Sequence, residues 1–199
     1  VFPNCTRGRP ALFLDRDGVV VEEIDYLHRI EDIAICPEAA AVIAAANANA
    51  IAVVLVTNQA GIGRGYYGWA EFWAVQQAIQ SAVAGEGAHF DAIYACPHHR
   101  DGKGDFAHPD HPARKPNPGM LRRAAATLAI DMSRSWLVGD RVTDVEAAKR
   151  SGLPGALHVL SGYGRSENAA AMALADAGFD VRVAPSIGGA LMLPLFQGD

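Results

Sequence analysis

Short apolar runs alternate with longer stretches of helical spacing along most of the chain. Ala11–Leu14 is an apolar run that stops at Asp15. Residues 37–50 are rich in alanine and open on Pro37, a residue suited to the first turn of a helix. Ile51–Val56 is a nearly unbroken run of β-branched and aliphatic residues, which predicts a strand buried on both faces. Phe72, Val75, Ile79 and Val83 recur at helical spacing. Asp91–Ala95 predicts a third strand. Asn117 is the expected cap of a helix running to Leu128, with Pro118 just inside it. Trp136–Val138 predicts a fourth strand. Thr143 and Glu146 have capping-box spacing for the next helix, which Gly152 ends. Ala156–Leu160, a helix near residues 168–177 and a strand near Val181–Ala184 complete the series.

Strands and helices in strict alternation predict an α/β fold: a Rossmann-like, doubly wound parallel sheet with helices on both faces and right-handed crossovers. Ligands of such sheets sit beyond the carboxyl ends of the strands. Asp15, Thr57, Cys96 and Asp140 each fall at such an end, so the polar candidates converge on one edge.

Composition adds limits. The chain has 199 residues, half of them hydrophobic and a fifth charged, which suits one globular domain over 1–199. No repeat or low-complexity linker divides it, and a His/Pro-rich loop occupies residues 96–114. The net charge of −5, with no Lys/Arg-rich run, disfavours a nucleic-acid partner. No apolar run reaches the roughly 18 residues of a membrane helix, so no membrane partner is expected. Val1–Pro10 lacks an apolar signal core and a Met. Cys5, Cys36 and Cys96 are sparse and odd in number, which fits a reducing cytoplasm rather than a disulfide framework. The oligomeric state is not legible.

The chemistry lies at the strand ends. In Asp15-Arg16-Asp17-Gly18, residues two apart face the same way, so Asp15 and Asp17 meet one ligand while Arg16 turns aside. Two adjacent carboxylates repel unless a cation binds or one carries a proton. Both outcomes suit phosphoryl transfer, with one carboxylate attacking and the other handling a proton. A solvated Asp-Arg-Asp turn is the alternative. Val56-Thr57-Asn58-Gln59 offers a hydroxyl and free backbone N–H groups to a phosphate, or is a plain strand-end turn. Lys115, within Arg114-Lys115-Pro116, either neutralises phosphate charge or belongs to a surface basic pair. Asp140, in Gly139-Asp140-Arg141-Val142-Thr143-Asp144, is placed to bind a metal. Mg²⁺ needs only two or three protein oxygens. Asp144 complements the helix dipole or holds Lys115 and metal-bound waters.

Taken in order, these motifs resemble the haloacid-dehalogenase-like (HAD-like) phosphatases, over roughly residues 11–164. Phe13-Leu14-Asp15-Arg16-Asp17-Gly18, Val56-Thr57-Asn58-Gln59-Ala60-Gly61-Ile62-Gly63-Arg64-Gly65, Cys96-Pro97-His98-His99, Arg114-Lys115-Pro116-Asn117-Pro118-Gly119-Met120 and Val138-Gly139-Asp140 are similar to one branch. That branch holds the heptose-bisphosphate and histidinol phosphatases. Ile62–Gly65, Tyr26-Leu27-His28 and Pro118–Leu121 tip the likeness towards the heptose enzymes.

The resemblance implies a phosphatase acting on a small phosphorylated metabolite, D-glycero-D-manno-heptose 1,7-bisphosphate first and histidinol phosphate or another phosphometabolite second. A non-catalytic phosphate- or metal-binding module is the alternative of a different class. It implies Asp15 as nucleophile and Asp17 as acid and base. Mg²⁺ would bind the Asp15 carboxylate, the Asp17 carbonyl and Asp140. Thr57 and Lys115 would hold the phosphoryl group. Glu23, Ile24, Asp25, Tyr26, Asn58, Gln59, Ala60, Arg64, Arg114 and Arg141 match positions near the substrate. The branch also carries a structural zinc on Cys-x-His and Cys-x-Cys. Here the first half is Cys96 and His98, but the second half reads His111 and Ala113. Cys96, His98, His108 and His111 form the substitute set, with His99 facing solvent; loss of the zinc is the alternative. Val19 stands where many relatives have Thr, which removes one hydroxyl. The segments from Asp17 to Thr57 and from Thr57 to Lys115 are too fully used to hold a large cap domain.

Overall fold

The computed structural model describes residues 8–197. Cys5 and the first seven positions of the Val1–Pro10 segment lie outside them. Six strands form one sheet: β1 (Ala11–Leu14), β2 (Ala52–Asn58), β3 (Ala92–Cys96), β4 (Trp136–Gly139), β5 (Gly155–Val159) and β6 (Asp180–Ala184). Their spatial order is β3-β2-β1-β4-β5-β6, and every pairing is parallel. This is the doubly wound α/β architecture expected from the alternation. The order in which strands are added reverses after β3, from one side of β1 to the other, so the crevice opens between β1 and β4.

Among the described residues the α-helices are α1 (Ala39–Ala48), α2 (Ala60–Arg64), α3 (Trp69–Ala84), α4 (Gly119–Leu128), α5 (Val142–Ser151) and α6 (Gly164–Met172). Alternate residues of the strands feed two cores. Leu12, Leu14, Val53 and Leu55 pack with α1 residues Val42 and Ile43 and α3 residues Val75 and Ile79. Phe13, Val54, Val56 and Leu137 pack on the other face with Met120 and Leu121 of α4 and Val145 of α5. Burying each such Leu, Ile or Phe contributes about 1.5–3 kcal/mol. Two covered faces explain why β1, β4 and β5 are buried at every position.

Several boundaries differ from expectation. The five-residue α2, which holds two glycines and is too short to show an amphipathic period, is an element that the pattern did not predict. α1 begins at Ala39 rather than Pro37, because Glu38 takes a left-handed conformation (φ 69°). Asn117 does not cap α4. Its amide donates to Asp110 and to the His111 carbonyl, tying the loop down, and the helix starts at Gly119. α5 is capped by Asp144 rather than by a Thr143–Glu146 box: the Asp144 carboxylate accepts the Arg141 N–H at 3.1 Å, and Glu146 pairs with Arg150. Gly152 ends α5 as expected, at φ 83°. α6 starts earlier than expected, at Gly164. Between β3 and α4 the only regular element is a 3-10 turn at Gly104–Phe106, so residues 97–118 hold no cap domain. No helix among the described residues is long and apolar enough to cross a membrane.

Candidate active site

The register of the sheet lines up the chemistry. Leu14 is level with Leu55 of β2 and Val138 of β4, and the Asp15 N–H continues the ladder to the Val138 carbonyl at 3.0 Å. Asp15 and Asp140 therefore leave adjacent strands within one residue of the same height. Gly18 (φ 78°) turns the chain away beside Asp140, where a Cβ would lie 2.5 Å from a carboxylate oxygen.

Lys115 reaches this point from the far side of β2. Its ammonium forms ion pairs with Asp15 at 2.8 Å and Asp144 at 2.6 Å and donates to the Val56 carbonyl at 2.8 Å. Asn58 fixes the Lys115 backbone by donating to its carbonyl and accepting its N–H, both at 3.0 Å. Burial alone would lower the Lys115 pKa, but the ion pairs with Asp144 and Asp15 reverse this and hold it above the usual lysine range. Lys115 is thus a buried permanent cation and not part of a surface basic pair.

Arg16 turns aside as the two-residue period required, yet its guanidinium curls back. It is buried, lies 5.6 Å from the Phe72 ring centroid, and donates to one oxygen of Asp17 through Nε at 3.0 Å and Nη2 at 2.9 Å. The other Asp17 oxygen accepts from Gln59 at 3.1 Å.

A cleft of about 290 Å³ lies over these groups. Its walls include all the positions read from the sequence as near a substrate: Asp15, Asp17, Glu23, Ile24, Asp25, Tyr26, Thr57, Asn58, Gln59, Ala60, Arg64, Arg114, Lys115 and Arg141. Arg64 is held by the Tyr26 hydroxyl at 2.7 Å and by Asp101 at 3.2 Å. Arg114 donates to the His98 carbonyl at 3.0 Å, and Arg141 lies 3.6 Å over the Tyr163 ring. Burial, then the nearby Asp17 charge, pushes Glu23 up to about 7.

The comparisons agree with this geometry. Residues 112–188 match a family model described as HAD-hydrolase-like. A D-glycero-beta-D-manno-heptose-1,7-bisphosphate 7-phosphatase of Mesorhizobium japonicum is 49% identical over 144 residues, 72% of this chain and 66% of the relative. The D-glycero-alpha-D-manno-heptose-1,7-bisphosphate 7-phosphatase of Photorhabdus laumondii is 36% identical over 155 residues, 78% of this chain and 85% of that protein. The chain belongs to the HAD-like hydrolases, in the heptose-bisphosphate phosphatase branch. A crystal structure of D,D-heptose 1,7-bisphosphate phosphatase from B. bronchiseptica, complexed with magnesium and phosphate, superposes on this HAD-like chain with a TM-score of 0.80. It is 30% identical, over 92% of this chain and 96% of that one.

The residues of this HAD-like site suit a divalent cation. Asp15, Asp140 and Asp144 place carboxylate oxygens within 4.8 Å of one another, the set of this kind among the described residues. One oxygen of Asp140 accepts the Tyr163 N–H at 2.8 Å, while the other is buried and unpartnered. Burial and the charges of Asp15 and Asp144 raise the Asp140 pKa well above the ordinary carboxylate range, the signature of a site short of positive charge.

The proposed zinc ligands meet a different outcome. Cys96 lies 3.9 Å from His111 Nδ1, but that nitrogen already accepts the Ala113 N–H at 3.1 Å. The His98 and His111 rings stack face to face with centroids 3.6 Å apart, and His108 meets His111 edge-on at 5.1 Å. Parallel rings keep their in-plane lone pairs parallel, so these nitrogens do not converge on one point. The replacement of a family Cys by Ala113 removes the ligand that would draw them together.

Sequence reasoning missed Tyr67, His99 and Tyr163, all of which line the cleft. His99 is not a solvent-facing neighbour: it is largely buried and sits 3.2 Å from the Arg64 guanidinium. The strand-end rule could have found Tyr163, which lies just beyond β5. Tyr67 gave no signal of its own.

Proposed function

We propose that this enzyme hydrolyses a phosphomonoester of D-glycero-D-manno-heptose 1,7-bisphosphate through a phosphoryl-Asp15 intermediate. The observation that carries this reading is the Asp15 carboxylate held at the floor of the cleft by buried Lys115, with Asp17 beside it. In the first half-reaction an Asp15 oxygen bonds to phosphorus as the ester P–O bond breaks, and protonated Asp17 gives its proton to the leaving oxygen. In the second, Asp17 takes a proton from water as that water attacks phosphorus. The Asp15–phosphorus bond breaks and inorganic phosphate leaves. Lys115 and Thr57 hold the phosphoryl oxygens, and Lys115 balances the charge that builds between them.

Mg²⁺ would be held by the Asp15 and Asp140 carboxylates and the Asp17 carbonyl, with Asp144 behind. When bound it supplies charge neutralisation that lets Asp15 approach an anionic phosphate. Arg64, Arg114 and Arg141 give the cleft more cations than one phosphoryl group requires, which favours a bisphosphate over histidinol phosphate. We place this chemistry in one domain whose rim is the loop 96–114, and in a reducing cytoplasm, supported by the free thiols of Cys36 and Cys96. Zinc on Cys96, His98, His108 and His111 would require the His98–His111 stack to open, and elemental analysis of the purified protein decides it.

The test is a panel of phosphate esters that includes both anomers of heptose bisphosphate and histidinol phosphate, with Mg²⁺ and then with chelator. Asp15→Asn is run beside the wild type. Turnover of a heptose bisphosphate that needs Mg²⁺ and is lost in the folded variant is expected. Full activity in Asp15→Asn, or phosphate binding without turnover of any ester, overturns the reading.

A further inference from the structure

We propose that Gln59, locked by Tyr67, is a positioning pair that sets the Asp17 carboxyl for proton transfer and ties it to the phosphoryl-holding Thr57. The inference rests on Asp17 being the acid and base. Gln59 sits in the cleft wall, as a substrate contact would, but its amide is already committed. It is 2% exposed. Its NH₂ group donates to Asp17 at 3.1 Å and to the Thr57 hydroxyl at 2.8 Å, and its oxygen accepts from the Tyr67 hydroxyl at 2.5 Å. An amide nitrogen has two hydrogens, so both donations are made at once. One NH₂ group therefore fixes the separation between the acid and the phosphoryl cradle.

The Asp17 carboxylate, which can only accept, decides which way the amide faces. Turned over, Gln59 would put its oxygen against the Asp17 carboxylate and leave the Thr57 oxygen without its donor. Donation from Tyr67 to the amide oxygen completes the useful orientation. Burial pushes the Tyr67 phenol up to about 12, so it stays a donor at any working pH. The ring is held in turn: it stacks on His28 at 5.4 Å between centroids, with planes 7° apart. It also lies over Gly61, where a Cβ would come within 2.2 Å of the ring. That contact accounts for a glycine in the Gln59-Ala60-Gly61 segment.

The two oxygens of Asp17 are made different by this arrangement. One faces the Arg16 guanidinium. The other accepts from the neutral amide of Gln59. Arg16 and Gln59 together give the carboxyl a single orientation.

The test uses leaving groups. Tyr67→Phe keeps the ring and its stacking and removes only the hydroxyl. Measured as kcat/KM, which reports the first phosphoryl transfer, it should lose about tenfold on an alkyl phosphate, where the leaving oxygen needs a proton. On p-nitrophenyl phosphate, whose leaving group departs as the anion, it should stay within about twofold of wild type. Gln59→Met, which leaves Tyr67 in place but also frees the Thr57 hydroxyl, should lose activity on both esters and about tenfold more on the alkyl one, should the first variant fold poorly. Equal losses on both esters, or no loss on either, would overturn the proposal. Asp17→Asn separates this from the underlying reading. It should show the same bias, at about 100-fold or more on the alkyl ester. If Asp17→Asn shows no such bias, the assignment of Asp17 itself has failed; if it does and the Gln59 and Tyr67 variants do not, only the positioning claim has.

Discussion

Asp140→Asn should make the metal-free protein more stable while abolishing its response to magnesium. Asp140, Asp15 and Asp144 lie within 4.8 Å of one another, and the Lys115 ammonium contacts only the latter two. At that separation and an effective dielectric near 20, each like-charge pair costs roughly 3 kcal/mol. The more distant attraction of Lys115 offsets about one of Asp140's two repulsions, leaving roughly 3 kcal/mol that a neutral amide relieves. Asparagine keeps volume, and its oxygen can still accept the Tyr163 N–H that Asp140 accepts now. For a chain of this size that relief corresponds to a rise of about 5–10 °C in melting temperature. The pH dependence fixes the sign. The folded-state pKa of Asp140 is raised, so the unfolded chain loses this proton first as pH rises. Wild-type stability without metal should fall between the ordinary carboxylate range and that raised value, and the variant should flatten the fall. Thermal melts in chelator and across a magnesium titration measure both. A variant that melts lower than wild type in chelator, or that still gains stability with magnesium, would refute the electrostatic account of this site.

Lys115→Met should cost roughly 3–5 kcal/mol of folding free energy in chelator, because it leaves Asp15 and Asp144 buried without their cation. The loss, read by urea unfolding, should shrink at low pH as Asp144, whose pKa burial raises, takes up its proton. Glu23 titrates near 7 in the cleft, so its charge appears as pH rises from about 6 to 8 and should raise KM for an anionic substrate over that range. Glu23→Gln should remove that dependence while leaving kcat within about twofold, and a KM profile identical to wild type would take Glu23 out of the substrate's reach.

The sheet was legible because its central strands β2, β1, β4 and β5 are buried on both faces and so read as continuous apolar runs. The strand-end rule then placed Asp15, Thr57 and Asp140 without any knowledge of tertiary contacts. What stayed hidden was set by distant groups. α2 forms in a Gly-containing segment because neighbours fix it, Gly63 packing where a Cβ would lie 2.1 Å from the Pro97 carbonyl. Asn117 has the composition of a helix cap, yet the loop at Asp110 and His111 claims its amide first. Alternation showed that Arg16 points away from Asp15, but not that its guanidinium returns to Asp17. Asn58 and Gln59 were read as lying near the substrate, and both line the cleft; what the sequence did not show is that their amides also bind Lys115, Asp17 and Thr57. The histidines of the loop have metal-ligand spacing, but spacing says nothing of ring planes, and here two rings stack.

The central claim is that phosphorus becomes bonded to Asp15 during turnover. Acid-quenching the enzyme milliseconds after mixing with heptose bisphosphate and magnesium, then mapping peptides by mass spectrometry, reads that bond directly. One phosphoryl group on the peptide containing Asp15, forming and decaying at rates that account for phosphate release, is the predicted result. Phosphate released at the full rate with Asp15 never modified would contradict it.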